Sequence, residues 1–357
     1  MLIWLDFLTP KQLLFLDAIG KRLEACGYEV FCTTRQYKEV DDLVRLKNVE
    51  AVVVGRHGGA SLEEKLAASA HRVEELSHII ARLRPDLSLA FASPEAARTA
   101  FGLAIPHYTV NDSPHSKAVA RLTIPLSEKL FSPAVIPRRV WTRLGARRDQ
   151  LIQYRGLDPI VWLKNLKPNS KVLDELGFDA TRPIVVFRVE ESFASYLMGR
   201  ASEESVLVPI VNDLVKTCGS EVQMVVLPRY EQAPIIRSHI PEEVVVPAKA
   251  VDGVSLLSHS SLFIGAGGTM TAEAALLGVP ALSCYPGEPT IVERYLIREG
   301  LVERITEPKR AIRRIRRILG NLDAERESQR EKAQSLIANM EDPAEVIVHH
   351  IEVAFPL

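Results

Sequence analysis

Ser261–Pro286 reads SLFIGAGGTMTAEAALLGVPALSCYP, and the order of residues in this stretch decides the fold. Leu262–Ile264 is a short apolar run suited to a strand buried on both faces. It enters a loop with three glycines in four residues: Gly265, Ala266, Gly267 and Gly268. Thr269 or Thr271 is placed to cap a helix that carries Glu273 and stops at Gly278, and Pro280 opens a further strand, Ala281–Ser283. A strand, a glycine loop and a helix N-terminus present unpaired N–H groups and a positive dipole end to an anion, and phosphate is the natural guest. The loop has no Lys-Ser or Lys-Thr pair, and its spacing is not GxGxxG. Glycine turns also join strand to helix in doubly wound folds without any ligand, so the loop alone leaves both readings open. Glu273 sharpens the choice: its carboxylate either complements the helix dipole or accepts two ribose hydroxyls about one turn beyond the phosphate loop.

Outward from this stretch, strands and helices alternate twice. The first run comprises strands at Leu2–Phe7, Glu29–Thr33, Ala51–Val54, Leu87–Phe91 and His107–Val110. Between them lie a helix from about Lys11 to Cys26, another opened by a Ser61/Glu64 capping box, and one opened by Ser93-Pro94. The pattern loosens from Leu130 to Tyr154, and Lys164–Ser170 reads as a linker. The second run has strands at Ile184–Phe187, Gln223–Leu227, Val244–Val246 and the opening stretch, and beyond Ile305 the chain is nearly all helix. Such alternation predicts an α/β protein of two doubly wound Rossmann-like domains facing a central cleft, residues 1–165 and 166–357, with the final helices returning towards the first domain.

The 357 residues provide ample core for two domains. With 47% hydrophobic and 25% charged residues the composition is that of a soluble globular protein, and the net charge of −1 gives no footprint for nucleic acid. The four scattered cysteines show neither metal spacing nor a disulfide framework, which predicts a reducing compartment. The opening MLIWLDFLTPKQ is too short and too early-charged for a signal peptide, and no apolar run spans a membrane. The expected location is cytoplasmic, with peripheral attachment to a membrane as its limit. No metal site and no cofactor are expected.

Ligands of open parallel sheets sit beyond the strand carboxyl ends, so the loops there carry the candidates. In the first domain these are Thr9, which caps a helix or lends its N–H group, and His57 between glycines. Glu95 stands at a helix start. Asn111, Asp112 and His115 lie on a tight turn, where Asp112 and His115 can form an oriented acid/base pair or Asp112 can serve an Asx turn. In the second domain Arg188, Ser192 and Arg229 follow strands, and an arginine there suits phosphate. Two basic clusters, Arg138–Arg148 and Lys309–Arg317, read as solvated faces.

The stretch GGTMTAEAALLGVPAL resembles the nucleotide-sugar motif of glycosyltransferase-B enzymes, among them the peptidoglycan N-acetylglucosaminyltransferase and the non-hydrolysing UDP-N-acetylglucosamine 2-epimerases. In those enzymes a glycine pair meets the diphosphate and a glutamate holds the ribose, places matched here by Gly267, Gly268 and Glu273. RHGGAS, SPEAARTAFGLAIPHYTVNDSPHS, IQYRGLDPIVWLK and RVEESFASY, in this order along nearly the whole chain, resemble the uncharacterised family known as domain of unknown function number 354. Members of that family tend to carry Asn-Pro-Pro-His after the first strand, where this chain has Leu8-Thr9-Pro10-Lys11. The resemblance implies a glycosyltransferase-B fold and a UDP-sugar partner, with the diphosphate on Gly265, Gly267, Gly268 and Thr269. It admits glycosyl transfer to a lipid-linked or membrane-surface acceptor, an epimerase-like isomerisation, or binding without catalysis, in a monomer or a homodimer.

Overall fold

The structure is a computed structural model, and it describes residues 1–59, 61–189, 205–219, 221–228 and 233–357. The chain divides into two compact units, Met1–Trp162 with Met340–Leu357, and Leu163–Asn339. Each has its own all-parallel sheet.

The first unit's strands are β1 (Leu2–Phe7), β2 (Glu29–Gln36), β3 (Val52–Arg56), β4 (Leu87–Phe91), β5 (His107–Val110), β6 (Lys129–Pro133) and β7 (Leu151–Tyr154). They lie in the order β3-β2-β1-β4-β5-β6-β7. β1, β4 and β5 are buried along their whole length or nearly so, as central parallel strands covered on both faces must be. The helix Pro10–Ala25 starts at the N-cap Thr9, whose hydroxyl accepts from the Gln12 N–H at 3.4 Å, while Gln12 Oε1 accepts from the Leu8 N–H at 2.6 Å. The last helix, Pro343–Ala354, buries Ala344, Ile347 and Ile351 in this unit's core. Arg22 pairs with Asp342 at 2.7 Å and the Tyr28 hydroxyl donates to the Phe355 carbonyl at 2.9 Å, which holds Met340–Leu357 to the first unit.

The second unit has β8 (Ile184–Arg188), β9 (Gln223–Leu227), β10 (Leu262–Gly265), β11 (Ala281–Ser283) and β12 (Glu303–Arg304), in the order β12-β11-β10-β8-β9. Val244–Val246, expected as a strand, contributes one parallel bridge, Val225 to Val245, beyond β9. The unit is then a doubly wound sheet whose strand order reverses between β8 and β10. The amphipathic helix Pro308–Leu319 buries Ala311, Ile315 and Ile318 in its core. Two doubly wound parallel sheets agree with the predicted fold class. β6, β7 and β12 were not foreseen.

Candidate functional site

In the second unit the reversal point brings Gly265 into register with Arg188, and the Ala266 N–H donates to the Arg188 carbonyl at 3.2 Å. Gly265 has no room for a side chain: a Cβ would stand 2.7 Å from the Phe263 ring and 2.9 Å from Thr271 Oγ1. Gly267 (φ 83°) and Gly268 (φ 92°, ψ −171°) then turn the chain through a region open essentially to glycine alone. The helix Thr269–Leu276 begins directly after them. Its N-cap is Gly268 and no side chain caps it, so the expected threonine cap is replaced by bare backbone. Among the described residues nothing lies within 4 Å of a Cβ built on Gly268. The arrangement leaves an open approach to the positive end of a helix.

Glu273 is the fifth residue of this helix and is buried, at 3% exposure. At 1.5 Å per residue it stands about 7 Å along the axis from Gly268, the reach from a phosphate to the hydroxyls of its ribose. Arg188 Nη1 donates to the Leu227 and Pro228 carbonyls at 3.3 and 3.1 Å, which fixes its guanidinium at the carboxyl end of the sheet. Ser192 and Arg229 lie outside the described residues. A residue not foreseen, Glu293, joins the loop: it is buried, it accepts from the Ser283 hydroxyl, and its Oε2 lies 3.7 Å from a Cβ built on Gly267. Its signal in the sequence was the capping box with Thr290, whose hydroxyl accepts from the Glu293 N–H at 3.1 Å. Glu288 by contrast is exposed and faces Arg294 at 3.8 Å.

In the first unit the order reverses between β1 and β4, and two charge networks, one buried and one partly buried, occupy the strand ends. Asp6, fully buried, accepts from Arg72 at 2.5 and 3.1 Å, from Ser93 at 2.6 Å and from Thr33 at 2.6 Å. Burial alone would raise the Asp6 pKa, but the charge and hydrogen bonds of Arg72 and the two hydroxyls hold it below its ordinary value. Gly55 (φ 68°) makes this possible, because a Cβ there would stand 3.0 Å from the Arg72 side chain. Glu95 belongs to the same network: Ser69 donates to it at 2.6 Å and Arg72 Nη1 lies 4.0 Å away. Its carboxylate therefore ties two helices together. Next to it Ala92 sits at φ 50°, a strained residue at the reversal point.

The second network was not foreseen as a unit. Lys11, in the first turn of its helix, pairs with both Asp112 and Asp158, the latter at 2.7 Å, and its ammonium lies 4.5 Å from the centre of the Phe91 ring. Asp158 also accepts from the Tyr154 hydroxyl at 2.5 Å, and Asp112 from the Ser113 hydroxyl at 2.8 Å. Burial pushes the Asp158 carboxyl up to about 6, with Lys11 opposing and Asp112 adding to the rise. Burial would also raise Asp112, but Lys11 reverses the sign and holds it below the usual carboxylate range. Lys11 would be lowered by burial and is instead raised by its two carboxylates. The pair is thus split into a stronger and a weaker acid around one cation.

The remaining candidates surround this cluster or stand apart from it. Asn111 is buried, and its Oδ1 accepts from the Ser113 N–H at 2.7 Å, an Asx turn that presents Asp112. His115 sits on the exposed side of the turn, where partial desolvation lowers its pKa, assisted by Lys11 and opposed by Asp112. His57 stacks on Tyr37 at 4.9 Å and its Nδ1 accepts from the Gly59 N–H at 3.2 Å; desolvation and Arg35 lower it to about 4, so it is neutral near pH 7. Thr9 spends its hydroxyl as the helix cap. Among the described residues no three His, Cys, Asp or Glu side chains converge as a metal site requires.

Two such sheets define the class as a glycosyltransferase-B-type α/β protein. The fold matches that of the UDP-GlcNAc 2-epimerase from Neisseria meningitidis solved with UDP-GlcNAc, with a TM-score of 0.74 and 18% identity over 98% of this chain and 99% of that one. It also matches the spinosyn forosaminyltransferase SpnP, with a TM-score of 0.63 and 15% identity over 99% of each chain. The chain belongs to the family described as "Protein of unknown function (DUF354)", whose pattern it matches over residues 1–354. An uncharacterised protein of Methanocaldococcus jannaschii is 31% identical over 323 residues, 89% of this chain and 92% of its own.

Proposed function

We propose that the protein binds a nucleoside-diphosphate sugar on the second unit's glycine loop and acts on the sugar. The observation that carries this reading is the uncapped helix behind Gly267 and Gly268, both at positive φ, with Glu273 buried one and a half turns on. The diphosphate would accept hydrogen bonds from the first helical N–H groups, with the charge of Arg188 alongside. Glu273 would receive the ribose hydroxyls. UDP-sugars are the first ligands to test, because the Neisseria enzyme was solved with one.

The reaction we favour is glycosyl transfer, in which the helix dipole and Arg188 stabilise the departing diphosphate. Asp112, ionised and presented on its turn with His115, would take the acceptor's proton. One observation favours a second reading, epimerisation. Asp112 and Asp158 are paired carboxylates whose acidities are driven apart, the property required of an acid/base couple. Incubation with UDP-N-acetylglucosamine alone separates the two: an isomerase yields a new sugar epimer, whereas a transferase leaves the sugar unchanged until an acceptor is added.

Binding is tested by thermal melting with a panel of nucleotides and nucleotide-sugars. A ligand at a hundred times its Kd should stabilise the protein by about 2.7 kcal/mol. Glu273→Gln keeps the shape but removes the charge that strengthens two hydrogen bonds. Its nucleotide affinity should fall at least about tenfold with little change in Tm. A lower Tm with unchanged affinity would make Glu273 a purely structural carboxylate.

A further inference from the structure

The net charge of −1 conceals a strong local imbalance. Between Lys117 and Gln150 there are eight basic residues and two acidic ones, Glu128 and Asp149. Arg121, Arg138, Arg139, Arg143, Arg147 and Arg148 are all exposed. Among the described residues only Arg147 of these six meets an acid, Asp149 at 3.8 Å. The other basic cluster differs. On the helix Pro308–Leu319, Arg314 is held by Glu303 and Glu325, and Arg316 by Asp213. Two of the six basic residues in this cluster are held within the fold, and what sets the Lys117–Gln150 segment apart is the exposed apolar surface beside it.

Topology gathers part of this charge on one edge. The connecting helices Pro94–Gly102 and Lys117–Thr123 run back against the parallel strands, so their last residues lie at the amino ends of β5 and β6. Arg147 and Arg148 immediately precede β7 and reach the same edge. Gly145 links the two segments, because a Cβ there would stand 2.9 Å from Pro125, just beyond the second helix. Phe101 and Leu122, at the ends of these two packed helices, are 60% and 57% exposed. Two large apolar side chains thus share the edge with Arg121, Arg143, Arg147 and Arg148. Asp112 and Asp158 lie at the opposite, carboxyl edge.

We propose that this edge of the first unit docks on an anionic lipid bilayer. Arginines meet lipid phosphates through bidentate hydrogen bonds, and a lone charged edge would serve any polyanion. The apolar pair decides for lipid, because Phe101 and Leu122 can enter the interface while the arginines stay at headgroup level. No helix among the described residues is long and apolar enough to cross a membrane, so attachment is to the surface. The proposal does not depend on the nucleotide reading.

The test is co-sedimentation of the full chain with phosphatidylcholine vesicles with and without phosphatidylglycerol. The parent protein should partition onto the anionic vesicles only, less so at high salt. Arg143→Gln, Arg147→Gln and Arg148→Gln combined should weaken partitioning by roughly a hundredfold, and Phe101→Ser with Leu122→Ser by about tenfold. Unchanged melting temperatures would show that these exposed changes leave the fold intact. A control triple change, Lys309→Gln, Arg310→Gln and Arg313→Gln, should leave partitioning unaltered. Equal binding to neutral vesicles, no binding, an equal loss in the control, or tighter binding to duplex RNA than to the vesicles would each overturn the proposal.

Discussion

Lys11→Met should destabilise the protein by about 3–5 kcal/mol at pH 8, because it strips the shared cation from a buried carboxylate, Asp158, and a half-buried one, Asp112. An ordinary exposed ion pair would cost under about 1 kcal/mol. Lys11 is only 17% exposed, and Asp158 2%. The loss should depend on pH in a definite direction. In the parent protein the Asp158 pKa, about 6, lies above its unfolded value, so its protonated form contributes stability. That contribution is complete below about pH 4 and is lost as pH rises through about 6. Removing Lys11 removes the interaction that lowers both acids, so both pKa values rise and the deficit shrinks on acidification. Urea unfolding at pH 5 and pH 8 measures it: a deficit of the same size at both would show that Lys11 acts through packing on Phe91 alone.

Gly268→Val should reduce nucleotide affinity at least about a hundredfold. Among the described residues nothing lies within 4 Å of a Cβ built on Gly268, so the expected effect rests on the backbone. At φ 92° and ψ −171° an L-residue is strained by about 1–3 kcal/mol and relieves that strain by turning the peptide. The loop N–H groups would then point away from the diphosphate. Gly177, at φ 69° with equally open surroundings, gives the matched control. Gly177→Val should cost some stability and leave affinity unchanged. Equal affinity losses in the two variants would show a global effect of glycine replacement.

The strong periodic elements were legible without coordinates. β1 and β11 were read at their observed bounds, and β10 one residue short of its end, because buried parallel strands are short apolar runs closed by turn residues. β6 and β7 were not, because KLFSP and LIQY mix lysine, glutamine, serine and proline into the apolar pattern. The cap at Gly268 was misread, since two threonines stood nearby and only the φ angles show that bare glycine opens the helix. The Lys11–Asp112–Asp158 cluster was hidden for a different reason. Lys11 and Asp112 are 101 residues apart, and only the strand order brings them together. One clue lay in the family resemblance, which leads one to expect a histidine where this chain has Lys11.

Amide hydrogen exchange with and without a UDP-sugar tests the central claim most directly, because it locates the ligand on the chain. Bound ligand should protect peptides covering Leu262–Leu276, with the first-turn amides after Gly268 slowed most. Binding accompanied by protection elsewhere, with Leu262–Leu276 unchanged, would contradict the assignment of this loop as the nucleotide-sugar site.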